Sequence, residues 1–229
     1  MAPQGSGLYA EWGGAAKATQ KSRAEKTKRP DPCKKTGKYL GTSHQSNQFF
    51  DESFADQIVK FLKREKVKKI ADLGCGFGQY TFHFRKNGID CDCFDGNPDT
   101  PEITNNECKI LDLSEEHDFT SPAKKGSTVQ PWEYVISLEV GEHIPKEFEN
   151  VFIQNLHKNN SRGIILSWAH GVGWGGHGHV NCHSNEYIKD IFYTLGYDND
   201  LIAENFLRKS VTDSKWFKQT TMVFKKPQR

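Results

Sequence analysis

Ala71-Asp72-Leu73-Gly74-Cys75-Gly76-Phe77-Gly78 is the stretch on which the reading of this chain turns. A short apolar run, Ile70 to Leu73, is broken by glycines at 74, 76 and 78, and a helix-compatible run from Tyr80 to Asn87 follows before Gly88 stops it. Strand, glycine turn and helix in that order open a βαβ unit whose backbone amides approach a ligand closely. The spacing is D-x-G-x-G-x-G, whereas a dinucleotide site wants G-x-G-x-x-G. A pyrophosphate calls for bare amides and no facing anion, but Asp72 puts a carboxylate beside the loop, where an ammonium group is welcome. The loop therefore suits a zwitterionic ligand better than a phosphate.

Upstream of this stretch, Phe50, Phe54, Ile58, Phe61 and Leu62 recur at the spacing of one helix face, and the basic run Lys63 to Lys69 suits a helix C-terminus. Downstream, Asp90 to Asp95, Cys108 to Leu111, Glu133 to Ser137 and Gly163 to Trp168 read as further strands. Phe148, Val151, Phe152 and Leu156 form a helical face between the last two. The C-terminal part adds a helix with Ile188, Ile191, Phe192 and Leu195, a helix over Leu201 to Leu207, and a strand from Thr220 to Phe224. Strands alternating with helices predict an α/β fold with a mainly parallel sheet and ligands at the carboxyl ends of the strands.

A chain of 229 residues is the size of one such domain, and fifteen Phe, five Trp and seven Tyr supply a core despite only 35% apolar residues. The domain is expected over 39–229. Residues 1–38 carry nine Lys or Arg against three acids, while the remainder carries twenty-two against twenty-six, so a basic head precedes an acidic body. That head reads as a flexible extension, either solvated or in contact with nucleic acid. No run approaches the roughly 18 apolar residues of a membrane helix, and Met1 to Lys17 lacks the apolar segment of a secretory signal, so a cytoplasmic protein without a membrane partner is expected. The six cysteines form no CxxC pair and read as reduced thiols, with a metal or disulfide set as the alternative.

Two further acids end strands. Asp95, in Phe94-Asp-Gly96-Asn-Pro98, lies about 20 residues beyond the loop, where a carboxylate accepts from both hydroxyls of a ribose. Asp112, in Leu111-Asp-Leu113, is placed to accept from an exocyclic adenine amino group while Leu113 packs on the ring. With these acids, Ala71 to Gly78 and Ser137-Leu-Glu139-Val-Gly-Glu142-His143 make the chain resemble the class I S-adenosylmethionine-dependent methyltransferases over roughly residues 45–226. The resemblance implies a Rossmann-like, doubly wound, seven-stranded sheet and S-adenosyl-L-methionine as cofactor. It places the donor on Asp72, Gly74, Cys75, Gly76, Gly78, Tyr80, Asp95, Gly96, Asp112, Leu113 and Glu139.

For the acceptor, His143 and Glu142 follow the fourth strand, and a glycine-rich loop with His177 and His179 follows the fifth. Imidazoles alternating with glycine point to substrate contact or proton transfer, with metal ligation and a solvated loop as the other readings. Trp168 and Trp174 are expected either to wall an acceptor pocket or to belong to the core. Tyr39 and His44 precede the first helix, in a segment read either as a lid over the donor or as an ordinary strap. The Glu-x-x-Glu-His pattern resembles ubiquinone-type O-methyltransferases and small-RNA 3′-terminal ribose methyltransferases, some of which use such residues for a metal. The same pattern occurs in metal-free members, so a divalent ion on Glu139, Glu142, His143 and His179 stands as the alternative to direct acceptor contact. The expected function is methyl transfer to an oxygen or nitrogen of a small metabolite. The alternatives are methylation of RNA ribose or protein, using the basic extension, and a non-catalytic nucleoside-binding domain.

Overall fold

The computed structural model describes residues 50–119, 131–171 and 176–227. The N-terminal extension, Tyr39, His44 and Trp174 lie outside the described residues. The chain runs α1 (Glu52–Arg64), β1 (Lys69–Leu73), α2 (Gln79–Lys86), β2 (Asp90–Asp95), α3 (Thr100–Ile103), β3 (Lys109–Ile110) and β4 (Trp132–Leu138). It continues through α4 (Glu149–Lys158), β5 (Asn160–Ser167), α5 (Asn185–Thr194), β6 (Asp198–Asn199), α6 (Leu201–Arg208), α7 (Phe217–Thr220) and β7 (Thr221–Lys225).

The seven strands form one sheet in the order β3-β2-β1-β4-β5-β7-β6. β1 to β5 pair in parallel, and β7 runs antiparallel to both β5 and β6. Strand order reverses between β1 and β4, which puts the crevice at a doubly wound sheet's usual ligand position beside the carboxyl end of β1.

The central strands bury both faces, because successive side chains alternate between two cores. Ile70, Cys91, Tyr134, Ile136 and Val223 face a layer built by Phe54, Ile58 and Phe61 of α1 with Phe84 of α2, Leu207 of α6 and Phe217 of α7. Ala71, Leu73, Phe94, Val135, Leu166 and Phe224 face the opposite layer, where α4 contributes Phe152 and Leu156 and α5 contributes Ile188 and Phe192. The expected strands are all present, with ends shifted by a few residues. The seventh, β6, is two residues long and pairs only at the edge.

One reading is corrected here. Cys93 and Cys108 are not thiols but a disulfide, with Cα atoms 4.9 Å apart across 15 residues of chain. Parallel pairing of β2 with β3 brings the two together, a proximity that their spacing in sequence does not reveal. Cys75, Cys91 and Cys182 are free thiols.

Asp51 fastens the start of the described fold to its end. As N-cap of α1 it accepts from the Phe54 N–H at 2.9 Å, and its other oxygen accepts from the N–H groups of Thr212, Asp213 and Ser214 at 2.8, 2.8 and 3.1 Å. Burial pushes the carboxyl up, but these four bonds outweigh it and hold it below its ordinary range. A folded pKa below the unfolded one means that this stabilisation is present above the unfolded value and is lost as pH falls through the folded one. Asp51→Ala should cost about 3 kcal/mol, because it removes a cap and takes the acceptor from three further backbone donors, that of Ser214 buried, and urea denaturation near neutral pH measures that loss.

Candidate functional site

The glycine turn is shaped by backbone that side chains avoid: Gly74, Gly76 and Gly78 have φ of +88°, +54° and +73°. The N–H groups of Gly74 and Cys75 both donate to the Phe94 carbonyl, at 2.8 and 3.0 Å, which ties the turn to the end of β2. A Cβ at Gly74 would lie 2.3 Å from Cγ2 of Val140, so the loop after β4 presses directly on the turn.

Asp72 closes β1 and is buried, its Oδ2 accepting from the Thr81 hydroxyl at 2.7 Å. Burial pushes its carboxyl up to about 7; the Thr81 bond and the more distant Arg85 oppose that shift, and nearby Asp95 adds to it. Asp95 accepts from the N–H groups of Gly76 at 2.8 Å and Asn97 at 2.9 Å, and also from Gly96. Burial still leaves it above its ordinary range. Asp112, past β3, receives the N–H and hydroxyl of Ser114 at 3.0 and 2.6 Å. The three strand-end acids therefore line the carboxyl edge in the order the sequence suggests. Leu113 is buried in the second core layer, and its carbonyl accepts from Asn155 at 3.1 Å. Tyr80 is placed otherwise: its hydroxyl accepts from the Asp51 N–H at 3.2 Å and its ring lies edge-on to Phe50, Phe54 and Phe217, which assigns it to packing against α1 and α7.

Beyond β4 the chain turns sharply at Glu139, a non-glycine residue at φ +54°. Its N–H donates to the Ser167 hydroxyl at 2.8 Å, and its carboxylate accepts from the Thr220 hydroxyl at 3.1 Å. A 3-10 turn, Gly141–His143, follows. Glu142 in that turn is wholly buried, and neither carboxylate oxygen has a hydrogen-bond partner among the described residues. Burial first, and then the charge of Glu139, drive its carboxyl far above the ordinary range.

Two imidazoles flank Glu142. His143 Nδ1 donates to the Gly178 carbonyl at 3.1 Å, which makes Nε2 the basic nitrogen of the neutral ring. His179 Nε2 lies 3.9 Å from Glu142 Oε1, and its ring meets that of His143 edge-on at 4.8 Å. His179 Nδ1 accepts from the Gly176 N–H at 3.3 Å and lies 3.7 Å from the Cys182 sulfur, so the proton of the neutral ring sits on Nε2, facing Glu142. Glycine at 176 is required for this fold-back, since a Cβ there would stand 2.1 Å from His179 Nε2. One ligating atom each from Glu142, His143 and His179 falls within 4.8 Å of the others, a set that also suits a divalent cation. Glu139, by contrast, is outside that group. His177 is half-buried in the same loop.

Trp168 takes the core position of its two expected readings. Its ring is fully buried, its indole N–H donates to the Asn181 carbonyl at 2.6 Å, and a Cβ on Gly141 would fall 2.3 Å from it. It supports the 3-10 turn from beneath and presents no surface to an acceptor. The sequence reading also missed a cluster that anchors the histidine loop. Glu149 of α4 accepts from Asn181 at 2.8 Å, His183 at 2.5 Å and the Tyr187 hydroxyl at 2.7 Å, with His183 stacked on Tyr187 at 4.0 Å. Burial raises the Glu149 carboxyl, but the three bonds outweigh it and hold it low. Its only sequence signal is polar residues opening α4 and α5 in an otherwise apolar pattern.

A family model described as a methyltransferase domain matches residues 45–201. Among solved structures, magnesium protoporphyrin IX methyltransferase (ChlM) from Synechocystis, with bound SAM, matches with a TM-score of 0.53 at 16% identity, over 77% of this chain and 79% of that one. The methyltransferase domain of bacterial CtHen1-C gives 0.52 at 16% identity, over 77% and 98% of the two chains. A TehB-like SAM-dependent methyltransferase from Corynebacterium glutamicum gives 0.51 at 15%, over 80% and 91%. At such identities the likeness speaks for the fold alone. No curated protein matches the chain.

Gly74→Ala tests the contact between the turn and the loop after β4. It forces a left-handed φ on an L side chain and drives Cβ into Val140, and it should cost about 2–3 kcal/mol in urea denaturation.

Proposed function

This chain belongs to the methyltransferase-domain family and is an S-adenosylmethionine-dependent enzyme, and from that premise we propose that it methylates a hydroxyl oxygen of a small metabolite. The single observation that carries the choice is the proximity of the buried Glu142 carboxyl, which has no hydrogen-bond partner among the described residues, to His143, whose Nδ1 bond leaves Nε2 as the basic nitrogen. The residues present fit the donor: the turn presents backbone at Gly74, Gly76 and Gly78, and Asp72 offers a buried carboxylate to an ammonium group. When bound, S-adenosylmethionine supplies a methyl group already activated by a sulfonium. Asp72 would hold the amino-acid part, with Gly74, Cys75, Gly76 and Gly78 presenting backbone to it. Asp95 and Gly96 would hold the ribose, and Asp112 with Leu113 the adenine.

The protein's own task is then alignment and proton removal. His143 Nε2 takes the proton of the acceptor hydroxyl, and its Nδ1 bond to Gly178 keeps the ring in the tautomer that can do so. Glu142 stands where it can give up its proton and so compensate an imidazolium on His143, and His179 and His177 lie on the neighbouring loop.

A second reading rests on the proximity of the three ligating atoms. Glu142, His143 and His179 would hold a divalent ion, which would polarise the acceptor oxygen. That arrangement requires His179 to give up the proton on Nε2 that its Gly176 bond favours. RNA or protein as acceptor would bring in the basic residues 1–38, and their deletion should then weaken acceptor affinity in a salt-dependent way.

Two outcomes check this reading. S-adenosylhomocysteine affinity, measured by calorimetry, should fall as pH drops from about 8 to about 6, approaching tenfold per unit below the Asp72 pKa, and Asp72→Asn should flatten the profile. The sign follows from burial: Asp72 is pushed up to about 7, so acid neutralises it and removes the partner of the donor's ammonium group. An affinity constant across that range takes Asp72 out of this contact. His143→Asn should lower turnover by about 10²–10⁴-fold while donor affinity holds, and equal losses in both would make the turn structural. Loss of turnover on chelation, with a metal-dependent gain in melting temperature that Glu142→Gln abolishes, would instead favour the bound ion.

A further inference from the structure

Three sulfurs converge beneath the glycine turn. Cys93 on β2 is bonded to Cys108, just ahead of β3, and the free thiol of Cys75 inside the turn lies within 4.8 Å of both. The bridge packs directly under the turn, since a Cβ at Gly78 would meet the Cys108 sulfur at 3.4 Å. The turn itself hangs on the carbonyl of Phe94, the residue after Cys93. Arg85 of α2 stands on the other side, donating to the Cys93 sulfur at 3.6 Å and to the Cys91 carbonyl at 2.8 Å, and it is paired with Glu107 at 2.8 Å.

We propose that Cys75, Cys93 and Cys108 form a thiol–disulfide relay in which the bridge moves into the glycine turn and closes the donor site. The Cys75 thiolate attacks the Cys108 sulfur; the Cys75–Cys108 bond forms as the Cys93–Cys108 bond breaks. The Cys93 sulfur leaves as a thiolate and takes up the proton that Cys75 gave to solvent. The three sulfurs keep the same number of electrons, so no outside oxidant or reductant is consumed. The Arg85 guanidinium beside Cys93 selects that sulfur as the leaving group, because a neighbouring cation stabilises the departing thiolate.

Exchange would act on the donor through short covalent connections. Asp95 follows Cys93 by two residues and Asp112 follows Cys108 by four. A bond from Cys75 to Cys108 draws the approach to β3 toward the turn, and it competes with the bonds of Gly74 and Cys75 to Phe94. The groups around Cys75 set the rate. It is half-buried beside Asp72 on β1 and Asp95 and Cys91 on β2, and desolvation first, then both carboxylates, oppose a thiolate. Exchange is therefore slow near neutrality and quickens as pH rises.

The test uses the full chain, with S-adenosylhomocysteine binding by freshly purified protein measured first, so that a failure to bind the donor is separated from a failure of the relay. The protein is then held at about pH 8.5 without reductant, quenched with acid, alkylated and mapped without reduction. A Cys75–Cys108 bridge should accumulate, with Cys93 becoming alkylated. Affinity should fall about tenfold in the exchanged form, and saturating S-adenosylhomocysteine should disfavour exchange by the same factor, as linkage requires. Cys75→Ser should show no loss of affinity with time relative to its own starting value. Retention of Cys93–Cys108 as the bridge in this region, or an exchanged protein that binds as tightly as the fresh one, overturns the relay.

Discussion

A carboxylate taken out of water must be bonded, neutralised or left for a ligand, and this constraint organises the molecule. Four acids at or just past strand ends meet it to different degrees. Asp95 receives three backbone N–H groups, Asp112 the two groups of Ser114, and Asp72 one hydroxyl. Glu142 receives none from the described residues. Asp51 and Glu149, away from the strand ends, are fully bonded, are held below the ordinary carboxylate range, and serve as fasteners. The acids left short of partners are pushed up, and they gather where parallel strands end and the strand order reverses. The two sets are thus separated by whether hydrogen bonds outweigh burial: they do at Asp51 and Glu149 and do not at Asp72, Asp95 and Glu142.

Local patterns were legible, and long-range ones were not. The glycine turn, the helical faces of α1 and α4 and the buried strands are written in periods of a few residues, so their positions follow from the sequence alone. β6 escapes because two residues carry no period, and its pairing comes from β7 alone. The Cys93–Cys108 bridge joins neighbouring parallel strands across a crossover, a distance the sequence does not encode. Trp168 illustrates the same limit at one residue: the end of β5 was located, but the direction of the ring beyond it depends on the Asn181 carbonyl and on the absence of a side chain at Gly141. Glu142 and His143 were visible as a motif, whereas the lack of a hydrogen-bond partner for the Glu142 carboxylate among the described residues is a property of the folded chain.

The solved structures compared share a core, with TM-scores of 0.51 to 0.53 over 77 to 80% of this chain. A sheet with both faces buried fixes strand order and the crossing turns, and it leaves the loops beyond β4 and β5 open to change. Acceptor chemistry therefore has to be argued from Glu142, His143 and His179 themselves. Their geometry does carry an argument, because the two imidazoles are oriented by main-chain partners, a carbonyl for His143 and an amide for His179, that fix opposite tautomers on facing rings.

These orientations depend on contacts far from the rings. The histidine loop is held by the Glu149 cluster on α4, while the carboxylate of Glu139 is held by Thr220 at the junction of α7 and β7. α7 begins at Phe217, which stacks on Phe54 of α1 at 4.6 Å, and the segment before it is bonded through its backbone to Asp51. A continuous set of packed and hydrogen-bonded groups thus runs from the entry of the first helix to the acid next to Glu142. Because Glu139 and Glu142 repel each other when both are charged, a small displacement of Thr220 would change how their protons are shared. The clamp that stabilises the fold at Asp51 thereby bears on the proton balance of Glu139 and Glu142, about ninety residues further along the chain.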